Sequence, residues 1–433
     1  MIETLNTDCF CVSLDRAALR RSLGADPAAR GLEQLIEERC PNLFAAHPLF
    51  ISHPHAQAMA EVIRAVESVV ALPDYQAALA WSPPIASFDS GARGVFMGYD
   101  FHIGADGPRL IEINTNAGGA LLNALLDRAQ RACCDEVAAL ATGPVASTQL
   151  EQVFMDMFRA EWRACGRSGG PTRIAIVDDA PEAQFLYPEF LLFERMFRRF
   201  GVAAVVVSPD KLSFDGRALR DAGGSIDLVY NRLTDFSLDA PTHAALRAAY
   251  LAGAAVVTPN PRAHALYADK RNLSLLTDGA WLRQWGVKAP IVETLTRGVA
   301  RTERVMASSA DRLWAARRKL FFKPAAGYGS KAAYRGEKIT RRVWDEILAG
   351  GYVAQEFVAP GVRRIGPAQD MKADVRNYVY GGEVQLLAAR LYQGQTTNMR
   401  TAGGGFAPVY VHALDPCAQE AACAPARAVS TAS

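Results

Sequence analysis

The sequence predicts an α+β protein that encloses a smaller α/β unit, and three observations carry that expectation. Between Thr172 and Pro261, short β-branched runs (Ile174-Ala175-Ile176-Val177, Ala204-Val205-Val206-Val207, Leu228-Val229-Tyr230, Val256-Val257) alternate with longer helical stretches, the pattern of an α/β layer. The segment before it is mainly helical, interrupted by one β-hairpin at 95–114. The segment after it holds strand-like runs at 319–323, 352–358, 375–380, 384–391 and 406–411, which read as antiparallel sheet.

Composition sets the frame. The 433 residues are half hydrophobic and 21% charged, with 47 Lys+Arg against 45 Asp+Glu, so the chain has core-forming capacity and a net charge of only +2. Near-neutrality offers no electrostatic footprint for nucleic acid or a membrane surface. Eight cysteines are too dilute for a disulfide scaffold, and Cys9/Cys11 and Cys133/Cys134 lack CxxC spacing, so reduced thiols in a cytoplasm are expected. The acidic start Met1 to Asp8 does not resemble a signal peptide, and no run reaches about 18 apolar residues.

Taken in order, residues 1–54 are expected as an N-terminal helical extension. Residues 55–165 follow, with helices over 56–70 and 121–140 as the clearest. Gly166 to Pro171 breaks any helix and reads as a linker. The α/β unit occupies 171–265; on its broad apolar helix face Phe185, Phe190, Leu192, Phe193, Met196 and Phe197 interleave with arginines. Residues 266–414 begin with a helix over 269–285 and continue as sheet. The tail, 415–433, has almost no large apolar side chains and is expected to be disordered.

The hairpin carries the first chemistry. Gly104 to Pro108 reads as a five-residue loop, and closing it with Ile103 opposite Arg109 places Asp100 directly across from Glu112. Alternation then puts Tyr99, Phe101, Ile103, Ile111 and Ile113 on a core face and Asp100, Glu112 and Asn114 on the other. Opposed carboxylates repel unless something positive sits between them. Although an arbitrary acid pair on a hairpin more often points at water, a glycine-rich helix start follows Asn114 directly, and all-oxygen ligands suit Mg²⁺ or Mn²⁺. The second chemistry lies beyond residue 320. An apolar strand ends in Lys323, a glycine turn runs from Gly327 to Lys331, and Tyr352 to Val358 reads either as a core strand or as a strap whose backbone meets a purine edge.

Together these residues resemble the ATP-grasp superfamily, that of D-alanine:D-alanine ligase and glutathione synthetase. The resemblance matches Lys270 and Lys323 to its two phosphate-binding lysines and Gly327, Gly329 and Ser330 to its mobile phosphate loop. It further matches Gln355, Glu356, Phe357 and Val358 to the adenine-binding linker, Asp100, Glu112 and Asn114 to the metal ligands, and Gly118 to the amide that holds the reacting carboxyl oxygen. In the usual members the metal hairpin follows the lysine segments; here it precedes them, so the sequence resembles the circularly permuted branch, with 173–261 similar to the superfamily's preceding α/β domain. A permuted chain needs the end of the 406–411 strand to lie near the helix beginning about Ala56.

The resemblance implies an ATP- and Mg²⁺-dependent ligase that joins a small-molecule carboxylate to an amine or thiol through an acyl phosphate, with Lys270, Lys323 and Arg390 on phosphate oxygens and the 327–331 loop closing against water. It leaves room for a homodimer. Loss of one carboxylate ligand is expected to harm turnover far more than folding. An ATP-grasp kinase and a non-catalytic nucleotide-binding regulator remain alternatives. A Rossmann dehydrogenase is disfavoured, because Asp178-Asp179-Ala180-Pro181 follows the first α/β strand where phosphate-binding glycines belong. Lys372 to Asn377 and Arg390 through Asn398-Met399-Arg400 resemble substrate-binding and phosphate-binding strands, Gly403 to Gly405 fits either close substrate approach or a plain loop, and the scattered histidines are taken as structural or surface residues.

Overall fold

The computed structural model of the protein describes residues 2–10, 12–24, 31–130, 140, 144–327 and 332–412. Gly329, Ser330 and Lys331, the cysteines at 11, 133 and 134, the end of the helix expected over 121–140, and the 415–433 tail lie outside the described residues.

The larger sheet has seven strands. Its spatial order is Leu49–Ser52, Gly405–His412, Glu383–Tyr392, Gln369–Tyr380, Met97–Gly104 and Gly107–Asn114, and Gly361–Gly366 also pairs with Gln369–Tyr380. Met97–Gly104 lies antiparallel to Gln369–Tyr380, with Asp100 opposite Arg376. Leu49–Ser52 was not expected, since residues 1–54 read as helical. It runs parallel to the last strand, with Ser52 beside His412, and leads straight into the helix His53–Val70. The Ser52 hydroxyl accepts from the His55 amide and caps that helix, whose buried residues Met59, Val62, Ile63, Val66, Val69 and Val70 follow helical spacing. That face packs on the sheet, chiefly on the Gly107–Asn114 strand at its edge, burying Tyr99, Phe101, Leu110 and Ile113.

The α/β unit matches its β-branched runs. Four parallel strands are ordered Val256–Thr258, Leu228–Asn231, Arg173–Val177 and Ala203–Val207. Helices Ala120–Arg128, Leu150–Ala164 and Tyr187–Arg199 fill the space between it and the larger sheet. Phe96 sits at their centre, 5.0 Å from the Phe154 ring and 5.3 Å from Phe193. The carboxylate of Glu161, wholly buried, locks this junction by accepting from the Arg93 and Gly94 amides and the Thr258 and Tyr380 hydroxyls.

A third, antiparallel sheet is ordered Thr302–Arg304, Tyr352–Glu356, Leu320–Pro324 and Tyr334–Arg335, over a small core of Leu313, Phe322, Trp344 and Ile347. The single helix expected over 269–285 is two short ones, Asn272–Leu276 and Gly279–Gln284. Asp278 causes the break: its side chain accepts from the Ala280 and Trp281 amides and so starts a new helix. At the N-terminus, the guanidinium of the fully buried Arg363 donates to the carbonyls of Asn6, Cys9, Pro48 and Arg364, pinning the first helix, Ile2–Asp8, to the sheet edge. Among the described residues Cys9, Cys40 and Cys165 are free thiols, and no helix is long and apolar enough to cross a membrane.

Candidate active site

The hairpin reaches the expected pairing by a different route. Gly104 faces Gly107, so the turn, Ala105-Asp106, is two residues rather than five; Gly107, at φ 92, takes the left-handed conformation that carries the chain out of it. A bulge between Asp100 and Phe101 then absorbs one extra residue, Ile111, and returns Asp100 opposite Glu112. The slip moves Leu110 into the core and turns Ile111, expected there, toward a cleft. The Ile111 carbonyl accepts from Lys323 Nζ at 2.9 Å, across 212 residues of chain.

That cleft, of about 600 Å³, lies between the larger and the small antiparallel sheets. Its walls include Glu112, Lys270, Lys323, Gly327 and Gln355 to Val358, all expected, together with Ile111, Phe321, Arg335, Lys338, Lys372 and Thr397. Lys270 Nζ lies 3.2 Å from Glu112 Oε1 and donates to the Gly327 carbonyl at 2.9 Å. Burial would push the Glu112 carboxyl up, yet Lys270 and Lys323 hold it below the usual carboxylate range. Burial, aided by the like charge of Lys270, pushes the Lys323 ammonium down to about 8.

Asp100 and Arg390 are used differently from the expectation. Asp100 is 2% exposed, and its two oxygens accept from Arg376 Nε at 2.7 Å, Arg376 Nη2 at 2.7 Å, Arg390 Nη2 at 2.9 Å and Asn114 Nδ2 at 3.0 Å. Burial alone would raise this carboxyl; the two guanidiniums hold it well below the usual range. Arg390 also donates to Asp374 at 2.6 Å, and Asp374 accepts from the Thr397 hydroxyl at 2.5 Å. Arg390 therefore neutralises carboxylates in a buried network, where the sequence suggested a phosphate contact. Three of these donors fall on Oδ2 and one on Oδ1, and the two guanidiniums already balance the carboxylate's charge, which disfavours a divalent cation at Asp100 in this arrangement. Glu112, with one oxygen toward Lys270, and Asn114, with its amide nitrogen spent on Asp100, retain oxygens that do fit one.

The glycine-rich helix start is likewise engaged. The Gly119 and Leu121 amides donate to the carboxylate of Glu189 at 2.8 and 3.1 Å, so the anion seat expected beside the acids is filled by the protein's own side chain. The Gly118 carbonyl accepts from the Tyr378 hydroxyl at 2.7 Å, and a Cβ at Gly118 would meet Leu186 Cδ1 at 2.3 Å and Arg232 Nη2 at 2.9 Å. Gly118 is a packing glycine at the contact with the α/β unit.

In the strap, the Gln355 side chain turns into the small sheet and donates to the Thr302 hydroxyl at 3.0 Å, while Glu356 pairs with Arg109 at 2.8 Å. The Glu356 and Phe357 amides are held by the Arg301 and Lys319 carbonyls, which takes them out of the set available to a base edge. The Arg335 guanidinium stacks 4.2 Å over the Phe357 ring. His102, read from sequence as structural, lines the cleft and binds the Val358 carbonyl through Nδ1 at 2.7 Å. Period two from Asp100 was the signal that would have placed it there. Nothing local announced Arg376 or Asp374 as partners of Asp100 and Arg390, because strand pairing across the sheet decides that.

No family model and no curated protein matches the chain. Among solved structures it is similar to a protein of Methylobacillus flagellatus KT provisionally described as a gamma-glutamylcysteine synthetase, at 12% identity over 83% of this chain and 89% of that one, with a TM-score of 0.43. It is also similar to D-alanyl-alanine synthetase A from Vibrio cholerae, at 14% identity over 52% and 68% of the two chains and a TM-score of 0.32. A third likeness is to the ATP-grasp ligase PsnB in complex with a minimal precursor, at 14% identity over 56% and 90% and a TM-score of 0.31. These are distant likenesses of shape, and the functional reading rests on the cleft itself.

Proposed function

We propose that the protein is an ATP-dependent ligase that activates a carboxylate as an acyl phosphate and passes the acyl group to an amine or thiol. One observation carries this reading: Lys270, Lys323, Glu112 and the Gln355 to Val358 strap, drawn from four separate stretches of sequence, wall one cleft. Among the described residues five cationic side chains line it (Lys270, Lys323, Arg335, Lys338, Lys372) against the acids Glu112 and Glu356, an excess suited to a polyphosphate. Its volume suits a nucleotide-sized ligand, and the Phe321, Ile111 and Val358 side chains offer apolar walls for a base.

Lys270 and Lys323 would bind and orient phosphate oxygens, Glu112 would keep both lysines charged and placed, and the buried strands would hold water away from a reactive acyl phosphate. A divalent cation, held by Glu112 and Asn114, would supply neutralisation of phosphate charge. The permuted arrangement is supported by Ser52 lying beside His412, which puts the end of the last strand next to the start of the His53–Val70 helix. The engagement of Asp100 by two arginines favours a second reading, a regulator that binds nucleotide without turnover.

A screen of carboxylic acids with amines and thiols for ADP release, with Glu112→Ala as the blank, tests both. Release that needs carboxylate and nucleophile together and vanishes in the blank supports the ligase. Nucleotide binding without release under any pairing supports the regulator, and equal release in the blank removes the role given to Glu112.

A further inference from the structure

The cleft holds one side chain whose chemistry the ligase reading does not use. His102 lies on the same face of its strand as Asp100, two residues nearer the hairpin turn, so its ring stands about 7 Å along the strand from the acids. Its Nδ1 is 2.7 Å from the Val358 carbonyl. A carbonyl oxygen only accepts, so Nδ1 carries the proton and Nε2 of the neutral ring is left as a lone pair. The ring lines the cleft, and no described residue hydrogen-bonds Nε2. The carboxylates on the cleft wall, Glu112 and Glu356, are engaged by Lys270 and Arg109, whereas this acceptor has no such partner among the described residues.

Position then selects the ligand group. On the nucleotide reading of the cleft, which this inference rests on, the base lies along Phe357 and Val358 and the phosphates lie at Lys270, Lys323 and Glu112. His102 is tied to the first set by its hydrogen bond to Val358 and stands two residues from the strand position that faces Glu112. The part of a nucleotide between base and phosphates is the sugar, whose hydroxyls are donors.

We propose that His102 is a specificity-determining residue whose Nε2 accepts a hydrogen bond from a sugar hydroxyl, so that the site prefers ribonucleotides to their deoxy counterparts. The same bond links the larger sheet, through the sugar, to the strap of the small sheet.

Calorimetric binding of ATP, 2′-deoxyATP and 3′-deoxyATP to the full-length wild-type protein, His102→Phe and His102→Gln tests it. One deoxy analogue should bind wild type about tenfold more weakly than ATP, the worth of one buried hydrogen bond. In His102→Phe that gap should close to within about twofold, through loss of ATP affinity; in His102→Gln, which keeps an acceptor, part of it should persist. Equal binding of all three nucleotides by wild type, which needs no variant, overturns the proposal, as does an undiminished gap in a His102→Phe protein that still binds. Absence of any nucleotide binding by wild type overturns the nucleotide reading itself, an outcome distinct from binding without discrimination.

Discussion

Lys323→Met should make the protein more stable while abolishing nucleotide binding. The lysine holds its proton with a pKa of about 8 in place of 10.5, because its ammonium is withdrawn from water and faces Lys270. At about 1.36 kcal/mol per pKa unit, keeping that charge in the folded state costs roughly 3 kcal/mol at neutral pH. Methionine preserves the stem beside Phe321 and removes the charge, but forfeits the bond to the Ile111 carbonyl, worth about 1 kcal/mol. The expected net gain is about 2 kcal/mol at pH 7. Below pH 8 both folded and unfolded lysine are protonated and the penalty is complete. Between pH 8 and 10.5 the unfolded chain binds more protons than the folded one, so wild-type stability rises across that window as the penalty is released. Urea unfolding followed by tryptophan fluorescence, run on both proteins at pH 7, 8.5 and 10, isolates this group from other titrations. The advantage of the variant should shrink as pH rises, and ATP should shift the urea midpoint of wild type alone. A variant less stable than wild type at pH 7, or an advantage constant from pH 7 to 10, would refute the reasoning.

The acids should separate in kind. Asp100→Asn leaves the buried Arg376 and Arg390 guanidiniums short of their shared carboxylate, and should cost about 3 to 5 kcal/mol in urea unfolding, whereas Glu112→Gln should stay within about 1 kcal/mol of wild type and lose ADP release. This reverses, for Asp100, the expectation from sequence that turnover would suffer more than folding; a stable Asp100→Asn protein would restore it. Arg363→Met strands the Asn6, Cys9 and Pro48 carbonyls, so limited proteolysis should cut the first dozen residues at least several-fold faster, and an unchanged rate would show that the segment is held otherwise.

Much of the fold was legible because its signals are local. β-branched runs predicted all four strands of the parallel sheet, three of which are buried along almost their whole length and so need little but apolar side chains. The pairing of Asp100 with Glu112 was also legible, though two errors cancelled: the turn is shorter by three residues than expected, and the bulge restores the register. A bulge leaves no compositional mark, so the exchange of Leu110 for Ile111 could not be read from alternation. The Leu49–Ser52 strand escaped for a related reason: four residues are too few to show a period, and its partner lies at the other end of the chain. The break at Asp278 is legible as an N-cap, but the apolar spacing on either side of it continues a single helix and masks it.

For the site, the sequence alone determined which residue types its segments carry: two lysines, a pair of opposed acids and a strap. Those follow from side-chain identity and periodicities of two and 3.6. Only the tertiary structure decided how each charge is balanced, because a charge binds the nearest opposite charge in space and not in sequence. Thus Asp100 meets Arg376 and Arg390, the helix start beside Gly118 meets Glu189, and Glu112 is left with Lys270 on the wall of the cleft.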